Sequence, residues 1–567
     1  MQLRTLGATL GIGMLALSLA ACSAPQAAAP SLGGNAGQPQ AAAGAPKTGG
    51  IAIIANREDP PGNWDPMFAS TISLQHVSNS VFGESNVVRP CYTDFYKVCP
   101  GLAESWEVNG DFTQWTFKVR DNVFWHDGAK LTPQDVKFWA DLSFNGVKVG
   151  EKTRPPALYK AYMGDVKSVD LLDGNKVKFT LGTAFPAFLD SMGSRNVMFA
   201  APRHLFQPKI DAGNVTVGPS DVGFVGVGAF KFTKQEKGSS VQVRKFDKFW
   251  DKDKDGKAMP YLDGIDFPIM TDFSAVVAAF RTGQLDGSTR GVGFSVSPAQ
   301  RDSLKQALGD KVWFAEIGGN RETMWFNTLR TSPFQDVRVR KAVSLWLDKQ
   351  QGIAAVQDGV GYMTPMLNPK SPWVNPDWNT WPGWNPSTRD KDRTEAKRLM
   401  GEAGFANGFD MELFGEKSWI KQGEWIQGDL AGLGIKIKLD LIDTATYNKR
   451  RLEGDYTLTT GKGATVTVPE GLEALIGAQS IAKAAFPKHD DPKVTETFAK
   501  FHQAKTTEER TTIYRQLEKY FMVDQVLGVP MYDAVQLIPY RSHLKGVLIP
   551  AEDITGFLGF STLWLDK

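Results

Sequence analysis

The segment from Trp425 to Leu441 constrains the fold more than any other stretch of the chain. Apolar residues between Trp425 and Leu430 share a helical face, and Gly432 and Gly434 stop the helix. Ile435, Ile437, Leu439 and Leu441 then alternate with polar residues. A helix that passes through glycine straight into an alternating strand is an α/β unit, with one face of each packed on a shared core. The same grammar recurs elsewhere. Gln114 to Arg120 puts Trp115, Phe117 and Val119 on one strand face, and Val177, Phe179 and Leu181 follow a turn at Asp173-Gly174. Thr132-Pro133 predicts a helix start, with a hydroxyl cap, proline at the first position and Asp135 in the first turn. Val339, Ala342, Val343, Trp346 and Leu347 form a helical stripe behind Asp336, and Ala396, Leu399, Met400 and Ala403 form another behind Thr394 that ends at Gly404. Ile51 to Ala55 reads as a short strand buried on both faces. No fixed-period repeat is present.

The 567 residues are enough for two or three cores. A formal net charge of +2 supplies no basic surplus for nucleic acid. The first 22 residues have the three parts of an export signal: Arg4 near the start, an apolar run from Thr5 to Ala20, and Leu19-Ala20-Ala21-Cys22. Cysteine after two alanines resembles the bacterial lipobox, so Cys22 is the expected lipid attachment point. Residues 23–50 are almost all Ala, Pro, Gly, Gln and Ser, which predicts a flexible tether. No later run is long and apolar enough to span a bilayer, so the expected membrane contact is through the N-terminal lipid alone.

Cys91 and Cys99, with seven residues between them, are placed for a disulfide outside the cytoplasm, with free thiols as the alternative. Neither has a histidine or further cysteine nearby to make a metal site. Trp125-His126-Asp127-Gly128 reads as a turn whose polar groups serve the local backbone. His76, His204, His489, His502 and His543 are scattered, and no zinc motif or Gly-x-Ser-x-Gly elbow occurs. Gly291-Val-Gly293 lacks the remainder of a nucleotide fingerprint. No metal, cofactor or catalytic residue is therefore expected. Trp373, Trp378, Trp381 and Trp384, among Pro, Asn and Gly, either line a pocket or plug loops. Arg338, Arg340 and Lys341 read as a solvated or ion-paired helix face.

Several ordered blocks resemble the extracytoplasmic solute-binding proteins of the peptide/nickel type, bacterial family 5. They are Gly101-Leu-Ala-Glu-Ser-Trp106 followed by Trp115-Thr-Phe-Lys-Val-Arg120; Phe124-Trp-His-Asp-Gly128 followed by Leu131-Thr-Pro-Gln-Asp-Val136; Gly226-Val-Gly-Ala-Phe-Lys231; Phe249-Trp250; Phe280-Arg-Thr-Gly-Gln-Leu-Asp286; and Phe334-Gln-Asp-Val-Arg-Val-Arg340. The resemblance implies a type II periplasmic-binding-protein fold, α/β in class, with two lobes joined by two crossing strands and an extra inserted domain. Expected limits are residues 51–75, 222–315 and 530–567 for lobe I, 76–221 for the inserted domain and 316–529 for lobe II. The crossings are expected near Met324–Asn327 and Val529–Tyr532.

The implied function is capture of a small solute, an oligopeptide or another organic molecule, in the interlobe cleft. Delivery would be to an ABC permease complex, from the periplasm or the outer face of the cytoplasmic membrane, by a monomer with no chemistry of its own. A lipoprotein that senses a ligand and signals without transport is the alternative, and an exported hydrolase a more remote one. Expected ligand contacts are Arg57, Phe68, Arg321, Tyr362, Trp419, Thr460 and Tyr532, at strand ends or loops facing the cleft. One departure bears on the solute. Peptide-binding members usually carry an acid just after the strand found here at Asp455 to Thr460, whereas this chain reads Gly461-Lys-Gly-Ala-Thr-Val-Thr-Val-Pro-Glu470. A desolvated ammonium without a counter-charge is costly, so a neutral or anionic ligand stacked on tryptophan deserves equal weight with a peptide.

Overall fold

The computed structural model describes residues 44–60, 64, 65, 67, 72–82, 87–157, 160–194, 200–289, 295–462, 469–480, 482–549 and 559–567. The leader with Cys22, the tether as far as residue 43, Phe68, the Gly291–Gly293 pair and residues 463–468 lie outside them.

Two long strands, Val312–Phe326 and Gly528–Arg541, organise the molecule. They pair antiparallel from Val312 opposite Arg541 to Trp325 opposite Gly528, with register shifts between Ile317 and Asn320 and between Glu322 and Thr323. Among the described residues they lie in the middle of one 11-stranded sheet. On one side follow the short Gly287–Ser288 strand, Ile51–Ala55, Gly264–Pro268, Ser240–Lys245 and Phe230–Glu236; on the other come Leu458–Lys462, Phe409–Glu416 and Ile435–Ile442. The Phe409–Glu416 strand runs parallel to both of its neighbours, as the helix-to-strand passage through Gly432 and Gly434 requires.

Apolar side chains gather in two large cores, one for each half of the sheet. The first includes Ile54, Phe117, Trp139, Phe179, Val243 and Ile265. It thus joins the four-stranded sheet of Ala103–Val108, Gln114–Val119, Lys176–Leu181 and Val166–Leu172 to the first half. The second includes Met324, Trp346, Leu413, Ile437, Phe498 and Tyr532. The long strands contribute to both cores and carry the chain between them.

Most predicted elements form where expected. The Pro133–Asn145 helix starts behind Thr132, whose N–H and hydroxyl both donate to Asp135. The Val337–Trp346 helix is capped by Asp336, which accepts from the Arg338 N–H. Other expectations are corrected. The strand at Ile51–Ala55 is half-buried, with Ile51 and Ile53 exposed by 39% and 37%. The helix expected behind Thr394 spans Arg389–Glu402, and the Thr394 hydroxyl donates back to the Asp390 carbonyl. The tether ends before Gly50: Lys47 pairs with Asp566 at 2.6 Å, and the Gly49 N–H donates to the Tyr261 carbonyl. Arg340 is buried rather than solvated, and its guanidinium donates to the carbonyls of Phe334, Gln335, Gln525 and Val526. All four tryptophans from Trp373 to Trp384 sit in the second core, the loop-plugging arrangement.

Candidate functional site

The parallel strands Phe409–Glu416 and Leu458–Lys462 end together beside the two long strands, and open α/β sheets bind ligands outside such carboxyl ends. Trp419 follows the first of these strands and opens the Ile420–Ala431 helix, where it is half-buried. Thr460 lies in the second strand and is fully buried, as is Tyr532 in the long Gly528–Arg541 strand. Gln422, which faces inward from the helix, links them. Its amide nitrogen donates to the Thr460 hydroxyl, and its carbonyl accepts from the Tyr532 hydroxyl at 3.4 Å. Burial, and secondarily the Glu322 carboxylate opposite, push the Tyr532 hydroxyl far above its ordinary value, so it remains a donor.

Arg321 and Tyr362 lie on the other side of the same strand pair. Arg321 and Asp533 are opposite one another in the ladder, as are Tyr362 and Asp533, so their side chains share a sheet face. Asp533 is fully buried, and Arg321 nearly so; Nη2 of Arg321 meets Oδ2 of Asp533 at 3.2 Å. The guanidinium also donates to the Thr364 hydroxyl and the Met366 carbonyl. Arg321 is therefore committed to holding the strand pair and the loop behind it. Tyr362 is half-buried and accepts at its hydroxyl from the Asn368 amide at 3.2 Å. Glu518 completes this cluster: Asn375 N–H and the Tyr514 hydroxyl donate to its two oxygens at 2.9 and 3.0 Å. Burial pushes the Glu518 carboxyl up to about 7 despite these bonds.

Arg57 is exposed just beyond the Ile51–Ala55 strand, in the first half of the sheet. The structure thus joins Thr460 and Tyr532 through Gln422, with Trp419 against the neighbouring Gly461, and Arg321 with Tyr362 through Asp533. Sequence reasoning missed Gln422 and Asp533. An aspartate within the apolar run Val529 to Ile538 is a legible sign of a buried ion pair; a glutamine inside a helix carries no such signal.

The remaining polar candidates are occupied structurally. His126 donates from Nε2 to the Gly228 carbonyl and accepts at Nδ1 from the Gly226 N–H, which fixes the neutral ring; burial lowers its pKa to about 4. Asp127 accepts from His204 at 2.7 Å. Among the described residues no group of three or more His, Cys, Asp or Glu side chains is placed to hold a metal, and no helix is long and apolar enough to cross a membrane. Cys91 and Cys99 are disulfide-bonded across the hairpin of Val88–Cys91 and Asp94–Pro100.

Comparison with known proteins converges on one family. The family model described as bacterial extracellular solute-binding proteins, family 5 middle, matches residues 97–476, about two thirds of the chain. The chain is 26% identical to heme-binding protein A of Haemophilus influenzae over 82% of its own length and 84% of the relative's. It is 27% identical to the dipeptide-binding protein of Escherichia coli over 64% and 66%. Among solved structures, HbpA2 of Haemophilus parasuis superposes with a TM-score of 0.75 at 22% identity, covering 92% of this chain and all of that one. The substrate-binding protein CtaP of Listeria monocytogenes does so with 0.74 at 22%, over the same shares. With two half-sheets joined by a crossing strand pair, the chain has the type II periplasmic-binding-protein fold and belongs to the bacterial extracellular solute-binding proteins of family 5.

Proposed function

We propose that this protein is a lipid-anchored receptor that captures a small organic solute, a peptide or a molecule of similar size, between its lobes and hands it to an ABC importer. The observation that supports the reading is the strand pair Val312–Phe326 and Gly528–Arg541, which runs through both cores and has Thr460 and Tyr532, joined through Gln422, beside it. Two bodies on a shared pair of strands close on a ligand by bending at the crossing, and the ligand shifts the population by its differential affinity for the closed state. The lobes in this reading are 51–75, 222–315 and 530–567 for lobe I and 316–529 for lobe II, with 76–221 inserted. The protein works as a monomer and performs no chemistry of its own; in the Trp125–Gly128 turn His126 is held by the Gly226 N–H and the Gly228 carbonyl, and Asp127 accepts from the Ala129 N–H and His204. Cys22 carries the lipid, at the outer face of the cytoplasmic membrane or in the periplasm, and the permease and its ATPase are separate chains.

Native mass spectrometry of the protein extracted from membranes of cells that make it tests both halves of this reading. The expected spectrum shows a chain beginning at a lipid-modified Cys22 with a non-covalent organic mass that leaves on activation. An unprocessed chain beginning at Met1 contradicts the anchor, and failure to take up any solute from a cell extract contradicts the receptor.

A further inference from the structure

Trp419 has a construction that a simple core residue does not need. Its benzo ring lies against the bare backbone of two strand glycines. A Cβ on Gly461 would stand 3.0 Å from Trp419 Cη2 and 2.9 Å from the Tyr447 hydroxyl, and one on Gly415 would stand 3.4 Å from Cε3. Glycine inside a strand gives up packing and backbone entropy, and it marks places where another group approaches closely. Tyr447 meets the indole edge-on, with centroids 5.0 Å apart and planes at 88°. Tyr447 in turn stacks on Phe414 at 5.0 Å, and Phe414 on Tyr456 at 6.0 Å. The Arg450 guanidinium lies over Phe414 at 4.4 Å. A row of four rings, held by aromatic contacts and one cation, thus ends on Trp419. Trp419 nevertheless remains half-buried, and Ile420 beside it is 43% exposed. A rigid, apolar and partly open ring therefore stands at the carboxyl ends of two strands, three residues before Gln422 with its neutral hydrogen-bonding partners.

From this arrangement we infer that the solute carries a planar, π-bonded group that stacks on Trp419, and that this residue selects planar over puckered or branched apolar groups. The inference rests on the receptor reading above. A backed, immobilised indole pays little further ordering entropy when a flat group lands on it, and stacking adds to the simple burial of apolar area. A branched aliphatic group of similar size gains the burial alone.

The test uses the full exported protein and two matched pairs of probes in calorimetric titration: Ala-Trp against Ala-Leu, and phenylacetate against cyclohexylacetate. The planar member of a pair is expected to bind about three- to tenfold more tightly. Trp419→Ala should remove most of that preference, Trp419→Phe should keep part of it, and Gly461→Ala, which pushes on the ring, should weaken it. Thermal melts of the three variants identify any that fail to fold, and the Phe variant keeps the comparison readable if the Ala variant does. A protein that holds a solute in native mass spectrometry yet binds both members of each pair equally, or binds none of the four, overturns the inference and leaves the receptor reading in place. An unchanged preference in Trp419→Ala overturns it as well. Failure to take up any solute overturns both.

Discussion

Two buried ionisable side chains show what the interior of the second core demands of single residues. Glu518 keeps a proton to near pH 7 because burial penalises its charge more than the Asn375 N–H, the Tyr514 hydroxyl and the Arg321 charge favour it. The folded state therefore binds more protons than the unfolded one between the ordinary glutamate value of 4.5 and about 7. Stability contributed by this group is complete below about pH 4.5 and is lost as pH rises through about 7, by about 3 kcal/mol across the window. Glu518→Gln should flatten the fall in unfolding free energy between pH 5 and 7, measured by urea titration at stepped pH; an unchanged slope would show that Glu518 is not its source. Lys349 has the opposite sign. Burial lowers its ammonium to about 7, where it donates to the Ser344 and Gly383 carbonyls and lies over Trp384. Its contribution is lost as pH falls through about 7.

At the scale of elements, legibility followed apolar periodicity. Gln114–Val119, Pro133–Asn145 and Ile435–Ile442 form as the patterns predict because one face of each meets a core. The helix of Arg389–Glu402 was misplaced at its start because its first turns, Arg-Asp-Lys-Asp-Arg, carry no apolar stripe to betray them. Ile51 and Ile53 misled in the other direction: a continuous apolar run looks buried on both faces, and only tertiary packing decides that one face is open. Arg340 and Arg321 read as surface or ligand charges, yet main-chain carbonyls and Asp533 hold them inside, which no local spacing announces. The site was legible in part. Thr460 and Tyr532 lie inside strands, and Trp419 just after one, that could be found from the pattern, whereas Gln422, which joins the first two, emerges only when helix and sheet are packed. The Val88–Pro100 hairpin supports an element-scale prediction. Its disulfide closes a loop with a sequence separation of 8, and Arg89 ties it to Asp251 at 2.6 Å. Replacing Cys91 and Cys99 by serine should cost about 2–3 kcal/mol in denaturant unfolding; a loss below about 0.5 kcal/mol would show that the hairpin is held by its packing alone.

At the scale of the molecule, the candidate site depends on one mechanical feature: two cores strung on a single pair of strands. The chain crosses between them twice, at Ala315–Met324 and at Val529–Ile538, and both crossings are hydrogen-bonded to each other. Such a joint can bend without unpairing, and the register shifts between Ile317 and Asn320 and between Glu322 and Thr323 are places where the ladder is already interrupted. The most direct test is small-angle X-ray scattering of the exported protein, emptied of solute and then saturated with one that native mass spectrometry has identified. The account predicts a smaller radius of gyration on saturation, with the unfolding midpoint raised in parallel. A solute that binds to saturation and leaves the scattering curve unchanged would contradict closure about the paired strands.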